Sequence, residues 1–288
     1  MDPSISSIHT LHCRPHGIPL GERCLVMGVL NVTPDSFSDG NQFLTVCEAL
    51  QHADRMLAEG ADLIDIGGES TRPGARYVDE AEELARIRPL FEVLGKQSKV
   101  PLSIDTRKSE VAKAALDLGA SIVNDVSALQ DDPGMSRTVR EAGASVILMH
   151  RMGHSATMRQ DLPYGDVVRD VREFLRERAM FAEQAGISPD RILVDPGIGF
   201  GKTRADNLKL LANIPQFLAM GFPVLIGASR KAFLGELTGR GVHEREMGHA
   251  AVVATAVWQG AHIVRVHDVK AMKDVVKVAQ ALRNSHEK

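Results

Sequence analysis

The chain has 288 residues, 44% apolar and 25% charged, which is enough for one large domain or two small ones. A formal net charge of -3 gives no general case for nucleic acid or an anionic membrane as partner, yet it leaves room for a small anionic substrate at a locally basic site. The three cysteines (Cys13, Cys24 and Cys47) are odd in number and confined to the first fifth, which argues against a disulfide framework and for a reducing cytoplasm. The N-terminus lacks the charged-then-apolar pattern of a secretion signal. No apolar run reaches the length of a membrane span. AAVVATAVW (250–258) comes nearest and reads as a buried helix.

Residues 1–24 read as a short N-terminal hairpin or arm. His9, His12, Cys13 and His16 within it lack the tight spacing of a closed metal site. From residue 25 the chain repeats one pattern: a short apolar run, a polar residue at its end, a loop, then a segment of helical period. LVMGVL (25–30) ends at Asn31, and a long loop precedes a helix from about 43 to 59. DLIDI (62–66) contains Asp65 and precedes GGESTRPGA. PLSI (101–104) ends at Asp105, and the following helix places Val111, Ala115 and Leu118 on one face before stopping at Gly119. SIV (121–123) ends at Asn124 and Asp125, SVILM (145–149) at His150, and ILV (192–194) at Asp195. PVLIG (223–227) leads to Ser229, Arg230 and Lys231, and HIV (262–264) leads to Arg265, His267 and Asp268. Eight such units in roughly 260 residues, with no linker between halves, predict an α/β fold: a single (β/α)8 TIM barrel over 25–288. A doubly wound open sheet usually has fewer strands.

The stretch ILVDPGIGFGKT (192–203) joins a strand buried on both faces to a carboxylate and a glycine-rich loop. Gly197, Gly199 and Gly201 read as opening the backbone to a ligand. GKT at 201–203 imitates the end of a phosphate-binding loop, but Pro196 stands where that loop needs its first glycine.

A barrel gathers functional groups at the C-terminal ends of its strands. Asn31, Asp65, Asp105, Asn124, His150, Asp195, Lys231, Arg265 and His267 all fall there. A lone Asp or Asn after a strand often only caps the next helix, the role expected of Asp268. Caps need no Lys, Arg or His. Lys231, Arg265 and His267 follow strands seven and eight, where barrels hold phosphate. Thr71 and Arg72 add donors from across the mouth, Arg suiting a bidentate grip. Asn31 offers a neutral oxygen to Mg2+ on a diphosphate. Asp105, Asn124 and Asp195 form an acidic and amide half suited to a heterocycle with paired N–H donors.

MGVLNVTPDSFSDG (27–40), DIGGESTRPGA (65–75), SIDTRKSEVAKAAL (103–116), NDVS (124–127), LMHRMG (148–153), DPGIGFGKT (195–203), GASRKAFLG (227–235) and RVHDV (265–269) together resemble the dihydropteroate synthase family of pterin-binding barrels, in order and at its spacing, from about residue 20 to 283. The resemblance implies a cytoplasmic, homodimeric transferase of folate biosynthesis. It would join 4-aminobenzoate to (7,8-dihydropterin-6-yl)methyl diphosphate with Mg2+, and sulfonamides would compete with the aminobenzoate. By matching motif, Asp195, Asn124, Asp105, Lys231, Met149 and Gly227 would bind the pterin. Asn31, Thr71, Arg72, Arg265 and His267 would bind diphosphate, with Asn31 also on the metal. Phe37, Pro73, Phe200, Lys231 and Ala232 would line the aminobenzoate slot, and Asp105, Lys231, Arg72 and Asp35 would act in catalysis.

This sequence departs from the family pattern at Gly153-His154-Ser155, where Gly-x-Pro is usual, and at Asn41, where SDGG is usual. It also has Ala232 in place of a hydroxyl residue, and Asp206 where His is common. Backbone N–H groups beside Ala232 would then serve the aminobenzoate carboxylate. A pterin-binding methyltransferase shares the acidic half but has no need of Thr71, Arg72, Lys231, Arg265 and His267. A non-catalytic paralogue would have lost Asn31, Arg72 or His267.

Overall fold

The computed structural model describes residues 9–13, 17–32, 42–70, 76–153 and 164–286. The lead-in forms an antiparallel hairpin of β1 (His9–Leu11) and β2 (Ile18–Leu20). Then come β3 (Leu25–Asn31) with α1 (Gln42–Ala58), β4 (Leu63–Gly67) with α2 (Glu80–Gln97), and β5 (Leu102–Asp105) with α3 (Ser109–Asp117). β6 (Ile122–Asp125) with α4 (Met135–Ala142) and β7 (Ser145–Met149) with α5 (Val167–Gln184) follow. β8 (Ile192–Asp195) precedes two helices, α6 (Arg204–Ala212) and α7 (Ile214–Leu218). β9 (Leu225–Ile226) precedes α8 (Ala232–Thr238) and α9 (Glu246–Trp258), and β10 (Ile263–Val266) precedes α10 (Val269–His286).

The eight strands from β3 onward pair in the order β8-β7-β6-β5-β4-β3-β10-β9, all parallel. A parallel bridge between Val194 and Val224 closes the sheet. The fold is a (β/α)8 barrel. Its seventh strand is shorter than the run at 223–227, because Pro223 has no N–H to donate; its carbonyl still accepts from Val194 N at 2.9 Å. AAVVATAVW lies inside α9. No helix of the described residues is long and apolar enough to cross a membrane.

Alternation along each strand decides what faces inward. Leu25, Met27, Leu63, Ile122, Ile147, Leu193, Leu225 and Ile263 fill the N-terminal end of the barrel and pack against Leu11 and Leu20 of the hairpin. Their neighbours Val26, Ile64, Ile66, Val123, Val146 and Val194 belong to the core beneath the helices. Two residues beyond the plug stand Asp65, Asn124, Met149, Asp195, Gly227 and Arg265. The same parity turns them into the open end.

Local signals end the helices as expected. Gly119 (φ +113°) stops α3, and Asp268 accepts from Ala271 N at 3.0 Å at the start of α10. Asp206 and Thr203 form a reciprocal capping box at the start of α6, so the departure at Asp206 is absorbed by a helix terminus.

Helices α2 and α3 meet where Gly95 faces the end of α3, and a Cβ on Gly95 would lie 1.8 Å from Leu118 O. Gly95→Ala should therefore cost about 3 kcal/mol, from backbone displacement. Gly143→Ala, with nothing within 4 Å but φ at +59°, should cost only about 1 kcal/mol. Urea unfolding of the two variants compares them directly; equal losses would mean that the α2–α3 contact is not tight.

Candidate active site

The open end of the barrel is a cavity of about 690 Å³. Asn31, Asp105, Asn124, Met149, Asp195, Phe200, Gly227, Lys231, Ala232, Arg265 and His267 all line it, as does Ser70. Asp35, Phe37, Thr71, Arg72 and Pro73 lie outside the described residues, as do His154 and Ser155.

A chain of polar contacts forms the floor. Asp65 is fully buried, and its Oδ2 accepts from Arg265 Nε at 2.6 Å and from Asn124 Nδ2 at 3.0 Å. Arg265 Nη2 donates to Asp105 Oδ2 at 2.8 Å. With its amide nitrogen committed to Asp65, Asn124 keeps Oδ1 as its acceptor. Asp195 Oδ1 accepts from Gly197 N at 2.7 Å, and the missing side chain of Gly227 leaves space beside Asp195 Oδ2. On the basic side, His267 Nδ1 lies 2.9 Å from Ser229 Oγ, and Lys231 Nζ lies 3.8 Å above the Phe200 ring.

One expected member is elsewhere. His150 is buried behind the mouth, with its ring edge-on to Phe174 at 4.8 Å and Nδ1 2.9 Å from Lys202 Nζ. Strand parity explains this: Met149 faces the cavity, so the next residue faces away. Of the loop glycines read as open to a ligand, Gly199 lines the cavity, and all three also sit close against the protein itself. They have φ of +68°, +83° and +65°, and a Cβ at Gly197, Gly199 or Gly201 would strike His150 O, Lys231 Cδ or Met152, respectively. They let the loop pack closely on the protein itself.

Other contributors had no role assigned from the sequence: Glu69, Arg107, Lys108 and Arg151 lie inside quoted motifs, and Arg245 lies in none. Arg245 Nη1 donates to the carbonyls of Arg230 (3.1 Å) and Lys231 (3.3 Å), holding the left-handed Arg230 (φ +59°) in place before α8. Behind the loops, Glu69 pairs with Arg107 and Lys108, Lys108 with Glu83, and Asp131 with Arg107 and Arg151. Glu69 Oε1 also accepts from Val78 N at 3.3 Å, so this network anchors both ends of the loop after β4.

A family model of pterin binding enzymes matches residues 27–267. The chain belongs to the pterin-binding enzyme family. It is 41% identical to the dihydropteroate synthase of Bacillus subtilis (strain 168) over 281 residues, 98% of this chain and 96% of that one. It is 47% identical to that of Neisseria meningitidis serogroup B over 264 residues, 89% of this chain and 92% of that one. Among solved structures, Xanthomonas albilineans dihydropteroate synthase with 4-aminobenzoic acid superposes with a TM-score of 0.90 at 47% identity, covering 96% of this chain and 99% of that chain. The same organism's enzyme in complex with 7,8-dihydropteroate gives 0.85 at 44% identity over 95% and 98%. The Yersinia pestis enzyme in a sulfonamide drug complex gives 0.90 at 42% over 96% and 99%.

Within this family member, burial dominates the electrostatics of the mouth. It pushes the Asp105 carboxyl up to about 7, opposed by the Arg265 guanidinium and reinforced by Asp65, Glu83 and Asp125. It pushes Asp195 up to about 6, opposed by the Gly197 N–H and by Lys231, Lys202 and Arg265. For a metal, the described residues hold no group of three or more His, Cys, Asp or Glu side chains. A Cβ at Gly67 would lie 3.7 Å from Asn31 Oδ1 and 3.4 Å from Asp105 Cβ, so glycine keeps the space beside that amide open. A hard cation that retains its waters and shares a substrate's phosphates needs few protein oxygens, and Asn31 fits that demand.

If the Arg265 ion pair holds Asp105 down as described, Arg265→Met will move the Asp105 titration above its present value near 7. Carboxyl 13C NMR across pH 4–9 measures this. An unmoved midpoint would remove Arg265 as the partner that matters.

Proposed function

We infer that this chain is a dihydropteroate synthase. It joins 4-aminobenzoate to (7,8-dihydropterin-6-yl)methyl diphosphate, giving 7,8-dihydropteroate and diphosphate in folate biosynthesis. The observation that carries this reading is one cavity with an acidic and amide floor on one side and His267, Lys231 and the free edge of Arg265 on the other.

On this reading Asp195 accepts the amino-amide edge of the pterin, while Asn124 Oδ1 and Asp105 take its remaining heteroatoms and Lys231 reaches the carbonyl side. Met149 and Gly227 border the ring. Arg265 and His267 hold the diphosphate with Thr71 and Arg72. Asn31 would hold Mg2+ there, which when bound supplies positive charge to the leaving group. The C–O bond breaks with its electron pair going to the diphosphate, and preorganised cations meet that charge. The methylene left behind is cationic, delocalised into the dihydropterin, and stabilised by the nearby Asp105 carboxylate. The aniline nitrogen of 4-aminobenzoate, held by Phe200, Lys231 and Ala232 together with Phe37 and Pro73, forms the C–N bond and loses a proton. No protein nucleophile is required. Asp35 completes the catalytic set, and sulfonamides compete in the aminobenzoate slot. Cys13, Cys24 and Cys47 are not joined in disulfides, which suits a reducing cytoplasm.

The deciding assay follows diphosphate release with and without 4-aminobenzoate, each with and without Mg2+. A synthase needs Mg2+ and forms dihydropteroate only with the amine; pterin bound without release in any condition would make the chain a carrier. In the same assay, Asp195→Ala should weaken pterin binding about 100-fold through its lost charged hydrogen bonds. His267→Ala should leave pterin affinity within about three-fold and slow release instead. Equal losses of pterin affinity would break the division into two halves.

The chain also acts as a homodimer on this reading. Helices α9 and α10 pack together and expose Met247 (74%), Trp258 (46%), Val278 and Leu282, an apolar face suited to a second copy. Light scattering should give a dimer mass, reduced to the monomer by Trp258→Glu combined with Val278→Glu; a wild-type monomer at micromolar concentration would contradict it.

A further inference from the structure

Lys202 has no part in the mechanism above, yet it is 3% exposed and lies at the heart of the loop between β8 and α6. Its Nζ donates to Gly197 O at 2.8 Å, Phe200 O at 3.1 Å and His150 O at 3.2 Å, and lies 2.9 Å from His150 Nδ1. None of these partners is a carboxylate, and no ion pair joins Lys202 to a described residue. Burying an amine with no carboxylate at hydrogen-bond distance is costly: burial pulls Lys202 down to about 7, against the through-space pull of Asp195, and an apolar side chain of the same length would avoid that cost. The amine is therefore kept for what it holds.

It holds the loop's backbone. The left-handed turns at Gly197, Gly199 and Gly201 leave the carbonyls of Gly197 and Phe200 within reach of one point, and Nζ occupies that point. The third carbonyl, His150 O, belongs to the end of β7, so the ammonium ties the loop to the neighbouring strand. Asn207 secures the other side, accepting from Gly199 N at 2.7 Å and donating to Thr203 O at 2.9 Å. Phe200 is fixed between these anchors, with its ring under Lys231 Nζ. Gly199 gives the Lys231 stem its path across the loop, since a Cβ there would lie 2.8 Å from Lys231 Cδ.

We propose that Lys202 is a positioning residue for 4-aminobenzoate: by clamping the 196–202 loop to the end of β7 it builds the Phe200–Lys231 wall of the amine's slot. This rests on the synthase reading. The clamp makes no hydrogen bond to Asp195 and acts on its carboxyl only through space, beside the Gly197 N–H, Lys231 and Arg265, so the pterin contacts keep their geometry when it is lost.

Lys202→Met should raise the KM for 4-aminobenzoate about 30-fold, while kcat at saturating amine and the Kd for pterin diphosphate measured without amine each stay within about three-fold. Lys202→Gln, which keeps two amide donors at neutral charge, should fall between Lys202→Met and the wild type, and it carries the test should Lys202→Met fail to fold. An unchanged KM, or a pterin Kd that rises in step with KM, would overturn the proposal. Hydrogen exchange gives a readout that does not depend on turnover. Amides of residues 198–201 should exchange at least about ten-fold faster in the variant, with β5 and α3 unchanged. Unchanged exchange overturns the clamp even if the wild-type chain makes no product, an outcome that would count against the synthase reading instead.

Discussion

The mouth of this barrel depends on one guanidinium. Arg265 is bound to Asp65 at 2.6 Å and to Asp105 at 2.8 Å, at the level where the apolar plug gives way to polar side chains. Two carboxylates that close together in a buried site would repel one another and be driven to take up protons. The guanidinium offers a fixed fork of donors and stays protonated, which a lysine at this depth would not guarantee. Below it the leucine and isoleucine layer, sealed by Leu11 and Leu20, excludes water from the N-terminal end. Inside the barrel, charge is thereby confined to the C-terminal end, and the site stands there.

Much of this arrangement was legible because strands alternate. Once Leu63, Ile122, Leu193 and Ile263 are read as inward, Asp65, Asn124, Asp195 and Arg265 two residues later must be inward too, and the polar strand ends converge without knowledge of any contact. The same rule, applied more strictly, would have excluded His150, which follows inward-facing Met149. The short seventh strand was legible in part, since Pro223 announces a missing donor.

What was not legible is whatever depends on partners far apart in sequence. Asp65 stood out as a polar residue inside an apolar run, but its meaning comes from Arg265, 200 residues away. Arg245 grips the backbone before α8 from a segment with no recognisable pattern. Lys202 was visible as a false phosphate-loop lysine and as part of DPGIGFGKT, but not as a clamp, because side-chain-to-carbonyl contacts leave no period in a sequence. The glycines around it were correctly marked as unusual, and Gly199 does line the cavity, but their contacts with the protein itself were not foreseen. Positive φ is demanded equally by a ligand and by the protein's own backbone, and only coordinates separate the two.

The floor and the diphosphate grip draw on the same arginine, and the donor count shows that they are compatible. A guanidinium carries five N–H groups. Asp65 takes the Nε proton and Asp105 one Nη2 proton, so three remain for an anion arriving from the mouth. A ligand phosphate can therefore bind Arg265 without dismantling the pairs that keep Asp65 and Asp105 in place. On the synthase reading this has a mechanistic consequence. The guanidinium that receives charge on the departing diphosphate also holds the carboxylate facing the new cation, so loss of the leaving group does not strand Asp105 as an unpaired buried charge. Leaving-group departure and cation stabilisation are thus joined through one rigid side chain, and neither requires the floor of the barrel to move.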